Sequence, residues 1–249
     1  MAVFGRLPNP DRCVQRRRVD CFVQPCHTAD RVKVGMEAMG LGNWYNERIV
    51  PRLIRCACSS PAIMQVRDKV VPLASGDVFE IGCGGGINQQ FYDPARVKSY
   101  AGMDPSAKGL DFTRAAAAQQ GRVVDIREGI GEAIPFADQS FDCVVCTFTL
   151  CSVDDAAQTL RELHRVLRPG GRLLYAEHGK APDVDVVKWQ NRIEPVWKRL
   201  AGGCHLTRPV GAAISGAADF SLNQLGARYA PKTPRWAGWI EWGEAIKAA

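Results

Sequence analysis

The run Glu80-Ile81-Gly82-Cys83-Gly84-Gly85-Gly86 is the stretch best suited to hold a ligand through its backbone. Glycines let a chain turn tightly and let a ligand approach where a Cβ would otherwise stand. The order is E-x-G-x-G-x-G. A dinucleotide fingerprint needs a glycine three residues after the second, and Ile87 stands there instead. A P-loop is excluded, because no Gly-Lys-Ser/Thr follows. Asp104 comes 20 residues after Gly84. That is the distance at which an acidic residue meets ribose hydroxyls in nucleoside-binding α/β folds, and a carboxylate can accept both vicinal hydroxyl hydrogens.

Proton-handling groups are sparse. His178 follows an apolar strand and is the candidate base; His205 ranks below it, and His164 sits among Arg161, Arg165 and Arg168 as a solvated residue. Glu162 and Glu177 form no obvious acid pair, and no Gly-x-Ser-x-Gly elbow appears. Ten cysteines invite a metal reading. Cys143 and Cys146 have C-x-x-C spacing, but on a strand residues three apart face opposite sides, so core packing is expected. Cys13, Cys21, Cys26 and His27 form a loose cluster that no second C-x-x-C completes. No metal is expected. With no secretion signal in view, reduced thiols in a cytoplasmic protein are the default.

The elements that must position these groups alternate. Strands are expected at Val78–Ile81, Lys98–Met103, Arg122–Arg127, Phe141–Thr147 and Arg172–Glu177, with helices at Ser106–Gln120 and Asp154–Leu167 between them. Arg168-Pro-Gly-Gly171 reads as a sharp turn. Near-continuous apolar strands alternating with helices imply an α/β domain: a Rossmann-like, doubly wound, seven-stranded, mostly parallel sheet with helices on both faces. Two helices precede it, at Trp44–Ile54 and Pro61–Val71. Asp183–Leu200 is amphipathic. Its apolar stripe of Val186, Trp189, Ile193, Val196, Trp197 and Leu200 is expected to face the core, although its flanking Lys188, Arg192, Lys198 and Arg199 would also suit a lipid surface. A closing strand pair is expected around Leu225–Tyr229 and Ala237–Trp242, where Trp236, Trp239 and Trp242 either wall a pocket or pack the last strand. The domain plan is a loose arm over 1–40 and one domain over 41–249. The domain divides into capping helices (41–75), a cofactor-binding core (77–178) and a substrate-side helix with terminal strands (179–249). Met36 or Met39 would serve equally as a start.

Composition bounds the answer. Of 249 residues, 46% are hydrophobic and 23% charged, which fits a soluble globular domain and rules out a disordered or fibrous chain. The longest apolar stretch, Cys143–Val153, falls short of the roughly 20 residues of a membrane span. Residues 1–40 carry seven basic side chains against four acidic ones, half of the net charge of +6. The body is therefore only mildly basic, which excludes nucleic acid as the expected partner.

Five pieces in order carry a resemblance. They are Glu80–Gly86, Gly102-Met-Asp-Pro-Ser106, Gly131-Glu-Ala-Ile-Pro-Phe136, Ser140-Phe-Asp-Cys-Val-Val145 and Leu167-Arg-Pro-Gly-Gly171. Over residues 77–178 the chain resembles the class I S-adenosylmethionine-dependent methyltransferases, in the branch (methyltransferase type 11) that includes quinone-ring methylases. It is similar above all to alkyl-thiol methyltransferases, through Cys146–Val153, Glu177-His178 and Gly203-Cys-His-Leu-Thr-Arg208. The resemblance implies S-adenosyl-L-methionine as cofactor. Glu80, Gly82, Cys83, Gly84 and Gly86 would form its methionyl cradle, and Asp104 would hold the ribose. Gly131 and Glu132 would flank adenine, where Ile130 replaces the Asp of quinone methylases. Thr147 and Leu150 would line the strand end that receives cofactor and substrate.

The implied reaction is methyl transfer to a small, fairly apolar acceptor, a thiol first, with His178 as catalytic base. The alternatives are a phosphatidylethanolamine N-methyltransferase, motivated by a peripheral membrane contact through 183–200, and a non-catalytic module that only binds the cofactor. Arsenite would require several cysteines to converge, which their spacings do not indicate. The oligomeric state is not legible.

Overall fold

The computed structural model describes residues 58–249. The expected arm over 1–40, the helix at Trp44–Ile54 and the cluster of Cys13, Cys21, Cys26 and His27 lie outside the described residues. In chain order the elements are α1 (Pro61–Val70), a 3-10 turn (Val71–Leu73), β1 (Gly76–Ile81), a second 3-10 turn (Ile87–Phe91), β2 (Val97–Asp104), α2 (Ala107–Gln119), β3 (Asp125–Glu128), β4 (Phe141–Thr147), α3 (Ala156–Val166), β5 (Leu167–His178), α4 (Val184–Leu200), α5 (Val210–Ala217), β6 (Phe220–Tyr229), α6 (Arg235–Gly238) and β7 (Trp239–Lys247). One sheet runs β3-β2-β1-β4-β5-β7-β6. The first five strands are parallel, and β7 is antiparallel to both β5 and β6.

β4 shows why the sheet forms. Its side chains alternate between two cores, and both are apolar. Val144 and Cys146 join Phe79, Ile81 and the α3 residues Leu160 and Leu163. Cys143 and Val145 join Val78, Leu174 and the α1 residues Ile63, Val66 and Val70. The C-x-x-C pair is thus split across the sheet, as its strand setting requires. Two helices, α2 and α3, begin at side-chain caps: Ser106 accepts from Gly109 N, and Asp155 from Gln158 N.

Four expectations are corrected in detail. β3 is shorter than Arg122–Arg127, because it is an edge strand paired only over Ala101–Asp104. Arg168–Gly171 does turn, but as an excursion inside β5. The register steps from Phe141↔Leu167 to Cys143↔Arg172, Gly170 takes φ 72°, and Arg168 bridges Asp77 and Asp142 at 2.9 and 2.7 Å. β6 and β7 pair from Phe220↔Lys247 to Tyr229↔Trp239, well beyond the expected segments. α5 was not expected, since its small residues VGAAISGA give little periodic signal.

α4 presents a different face from the one its stripe suggested. Val186 is buried and Ile193 and Trp197 half-buried, but Trp189, Val196 and Leu200 are 55%, 60% and 58% exposed. Gln190 is the reason. It is buried, its Nε2 donates to Gly179 O and Trp236 O, and its Oε1 accepts from Ala181 N. Those bonds turn the helix about its axis and leave an apolar row outside. The three tryptophans wall no common pocket: Trp236 meets Trp197, Trp239 meets Tyr229, and Trp242 packs in the α1 core.

Candidate active site

The strand order reverses between β1 and β4, and ligands of open α/β sheets bind at the carboxyl ends of strands beside such a point. The loop leaving β1 is tied to β2, since Gly82 N and Cys83 N both donate to Met103 O at 2.8 and 3.1 Å. Gly82 has φ 69°, and a Cβ there would collide with the Thr149 side chain from the loop after β4. The two loops therefore interlock only because residue 82 is glycine. Asp104 closes the cradle: Oδ2 accepts from Gly84 N at 3.0 Å and Oδ1 from Ser106 N at 2.8 Å. Burial pushes its carboxyl up, against the pull of the two N–H groups. Each oxygen keeps a free lone pair, the pair of acceptors that two vicinal ribose hydroxyls need. The residues present fit the cofactor.

Other expected positions act differently. The side chains of Glu80, Cys83, Thr147 and Leu150 are all 3% exposed or less and turn into the core. They offer a ligand backbone, not side chains. Glu80 alternates onto the α1 face of β1. Its carboxylate accepts from Tyr92 Oη at 2.8 Å, Tyr100 Oη at 2.7 Å and Asn88 Nδ2 at 2.9 Å. Burial raises its pKa against those donors. Gly131 lies against Thr159. The Glu132 carboxylate accepts from Asp155 N at 2.9 Å, at the entrance to α3. In that loop only the backbone remains for adenine, beside an exposed Ile130.

Two groups to which the sequence assigned no site role organise the strand ends. Arg67 of α1 is buried, with Nη1 donating to Thr147 Oγ1 at 2.6 Å and to Asn88 Oδ1 at 2.8 Å, and its guanidinium over the Phe148 ring at 4.9 Å. The Cys58 thiol lies against that guanidinium; burial raises its pKa and Arg67 opposes the rise. Glu177, near the end of β5, is fully buried. Its Oε1 accepts from Thr149 N at 2.8 Å, Leu150 N at 2.9 Å and Cys146 Sγ at 3.3 Å, and its Oε2 accepts from Cys151 N at 3.2 Å. A charged residue inside an apolar helix face (Arg67) or strand (Glu177) was the available signal.

His178 ends β5 with its ring edge-on to Phe148, centroids 5.1 Å apart, and its Nδ1 is buried without a partner among the described residues. Burial lowers its pKa to about 4, the Trp239 carbonyl opposing and Arg67 assisting. The ring is neutral at pH 7 and too weakly basic to take much of a thiol's proton. Its unpartnered Nδ1 is left as a hydrogen-bonding group at the strand end. His205 is held by Glu194 through Nδ1 at 3.2 Å, beside Thr207. His164 is half-buried against Phe220, not solvated as expected. The Cys151 and Cys204 thiols hydrogen-bond each other, raising the first pKa and lowering the second. Among the described residues no group of three or more His, Cys, Asp or Glu converges as a metal site.

The His178 shift has a measurable consequence. The unfolded ring takes up a proton below pH 6.5 while the folded ring resists until about 4. The unfolded state therefore binds more protons in that window, and this ring's contribution to stability is lost as pH falls through it. Denaturant unfolding from pH 7 to 4 should show the wild type losing up to roughly 3 kcal/mol more than His178→Gln. Equal losses in the two proteins would refute the buried neutral ring.

Residues 79–175 match a family model described as a methyltransferase domain. The chain is 37% identical over 176 residues to the rat thiol S-methyltransferase TMT1B, covering 68% of this chain and 70% of that protein. It is 40% identical over 159 residues to the human TMT1B, covering 61% and 64%. Among solved structures, the crystal structure of the [4+2]-cyclase SpnF superposes with a TM-score of 0.60 at 16% identity, covering 84% of this chain and 95% of that one. That likeness concerns the fold. With its glycine loop after β1, its 3-2-1-4-5-7-6 sheet and these relatives, this chain belongs to the class I S-adenosylmethionine-dependent methyltransferases.

Proposed function

We propose that the enzyme methylates the sulfur of a small, fairly apolar thiol. The observation that carries this reading is the buried Arg67 cation at the ends of β1 and β4, beside Phe148 and Cys58. A fixed positive charge stabilises a thiolate and lowers a thiol's pKa, so the nucleophile forms without a strong base. The same charge opposes an amine acceptor, whose methylation leaves a cation. The two nearby carboxylates, Glu80 and Glu177, are consumed by internal donors, and neither is free to act as a base. The relatives carrying thiol S-methyltransferase names support the same choice.

The cofactor supplies a methyl already activated on a sulfonium. The chain's task is to place the acceptor sulfur in line with it, which is catalysis by proximity and orientation. The new bond joins acceptor sulfur to methyl carbon. The methyl's old bond breaks, its electron pair stays with the departing thioether sulfur, and the thiol proton goes to solvent as the thiolate forms. Gly82, Gly84 and Gly86 would hold the methionyl end, Asp104 the ribose, and the backbone at Gly131 and Glu132 the adenine. A reducing, cytoplasmic setting fits the six free cysteines among the described residues. No described helix is long and apolar enough to cross a membrane.

One observation favours a second reading. The exposed row Trp189, Val196 and Leu200 on α4 lies beside Lys188, Arg192 and Arg199, a pattern that suits a peripheral contact with a lipid surface and a phospholipid amine as acceptor.

The test is release of S-adenosylhomocysteine with a small alkyl thiol, with phosphatidylethanolamine vesicles and with no acceptor. Turnover with the thiol alone is expected. Turnover with vesicles alone would replace the thiol by the lipid. Binding of S-adenosylhomocysteine without turnover on either acceptor would favour a cofactor-binding module. In calorimetry Asp104→Ala should weaken S-adenosylhomocysteine at least tenfold, on the order of the 1.4 kcal/mol or more expected for a lost carboxylate hydrogen bond. An unchanged affinity would remove Asp104 from the ribose site.

A further inference from the structure

Three unusual features meet at Phe148. It has φ 54°, in the left-handed region that an aromatic residue rarely occupies. Its ring lies between two polar side chains, the Arg67 guanidinium on one side and the His178 imidazole on another. Each of those side chains carries a buried nitrogen with no partner among the described residues, Nε of Arg67 and Nδ1 of His178. A buried polar atom left unpaired costs about 1–3 kcal/mol, so two around a single ring call for a reason.

The backbone around Phe148 is held from several directions. Its own N–H donates to Ala176 O at 2.8 Å, and the next three N–H groups are gripped by Glu177. Such over-determination is what lets a strained residue persist, and strain of this kind clusters at ligand sites. The ring itself is only half-buried, at the rim of the α1-side core. It is therefore the part of this loop that can move without breaking the Glu177 grip. A sulfur is already tolerated here, since the Cys58 thiol rests on the same guanidinium.

We propose that Arg67 and His178 form the acceptor subsite, a place for the sulfur of a small thiol, and that the Phe148 ring fills this place until the acceptor displaces it. The proposal rests on the thiol reading above and names the groups that would execute it. Arg67 faces the thiolate charge. The His178 Nδ1, left as an acceptor because the neutral ring's one N–H faces the Trp239 carbonyl, accepts the S–H of the arriving thiol and fixes the sulfur's direction before the proton leaves for solvent. The displaced ring then packs on the acceptor's alkyl or aryl group, which accounts for a preference for apolar thiols. Arg67 and His178 are the groups that touch the substrate, and Phe148 sets how large it can be.

Steady-state kinetics of the full chain with a series of alkyl and aryl thiols test this, alongside calorimetric affinity for S-adenosylhomocysteine. Phe148→Ala should lower KM for the bulkier thiols at least threefold. Arg67→Met should raise KM tenfold or more, Arg67→Lys should recover most of that loss, and His178→Gln should raise KM about fivefold. Cofactor affinity should stay within twofold for Phe148→Ala, His178→Gln and Arg67→Lys, which also reports that these variants are folded, whereas Arg67→Met leaves Glu80 and Glu177 uncompensated and is read only against Arg67→Lys. The proposal is overturned if wild-type turnover of thiols is normal but these variants leave KM unchanged, or lower cofactor affinity and kcat together without changing KM. Absence of thiol turnover in the wild type would instead overturn the thiol reading, and this subsite with it.

Discussion

A single buried cation, Arg67, holds the functional end of this protein together. Two carboxylates, Glu80 and Glu177, are fully buried near it, and burial alone would drive both toward protonation. Each is rescued by donors: two tyrosine hydroxyls and an asparagine amide for Glu80, three backbone N–H groups for Glu177. Arg67 faces the matching penalty, its pKa lowered by burial and raised again by Cys58, Glu80 and Glu177. Removing one member of a buried charged network costs about 3–5 kcal/mol, because the others are left without compensation. That is a large share of the roughly 5–15 kcal/mol that holds a domain together.

The network explains why the loops after β1, β4 and β5 behave as one unit. Arg67 reaches from α1 to Thr147 at the end of β4 and to Asn88 just beyond the glycine loop. Asn88 passes the connection to Glu80 on β1. Glu177, at the end of β5, fixes the three residues after Phe148. Thr149 then sits over Gly82, so the loop that would carry the acceptor and the loop that would carry the cofactor touch. Precision at a reacting centre needs such second contacts, because a loop alone is too mobile to align a nucleophile within a few tenths of an ångström.

Legibility in the sequence followed the range of each interaction. The glycine loop, Asp104 and the alternating strands are local features, and each could be read from its neighbours. Arg67 could not, because its partner Thr147 lies 80 residues away. Glu177 looked like a strand residue without a role, since the N–H groups it holds belong to a loop 26 to 28 residues earlier. The orientation of α4 also depended on a distant contact. Its apolar stripe argued for one face, yet Gln190 bonds to Gly179, Ala181 and Trp236 outweighed it, since a buried amide must be satisfied while an exposed Trp or Leu forfeits only its burial.

Acceptor choice follows from the same division. The cradle that would hold the cofactor is built from backbone and one carboxylate, which any member of this fold can supply. On the thiol reading, the groups that distinguish one acceptor from another come from α1 and from the tips of β4 and β5. Charge there would decide between classes. A fixed cation favours an acceptor that arrives as an anion and leaves neutral, and it disfavours one that arrives neutral and leaves positive. At a separation of about 4 Å and an effective dielectric constant near 20, one isolated unit charge against another gives about 4 kcal/mol, an upper bound here because Glu80 and Glu177 offset part of the Arg67 charge. Contacts with an apolar tail add or remove only 1–3 kcal/mol per methylene-sized change. On the thiol reading, the sign of the charge at Arg67 would set the class of nucleophile, and the shape around Phe148 which member of that class is used.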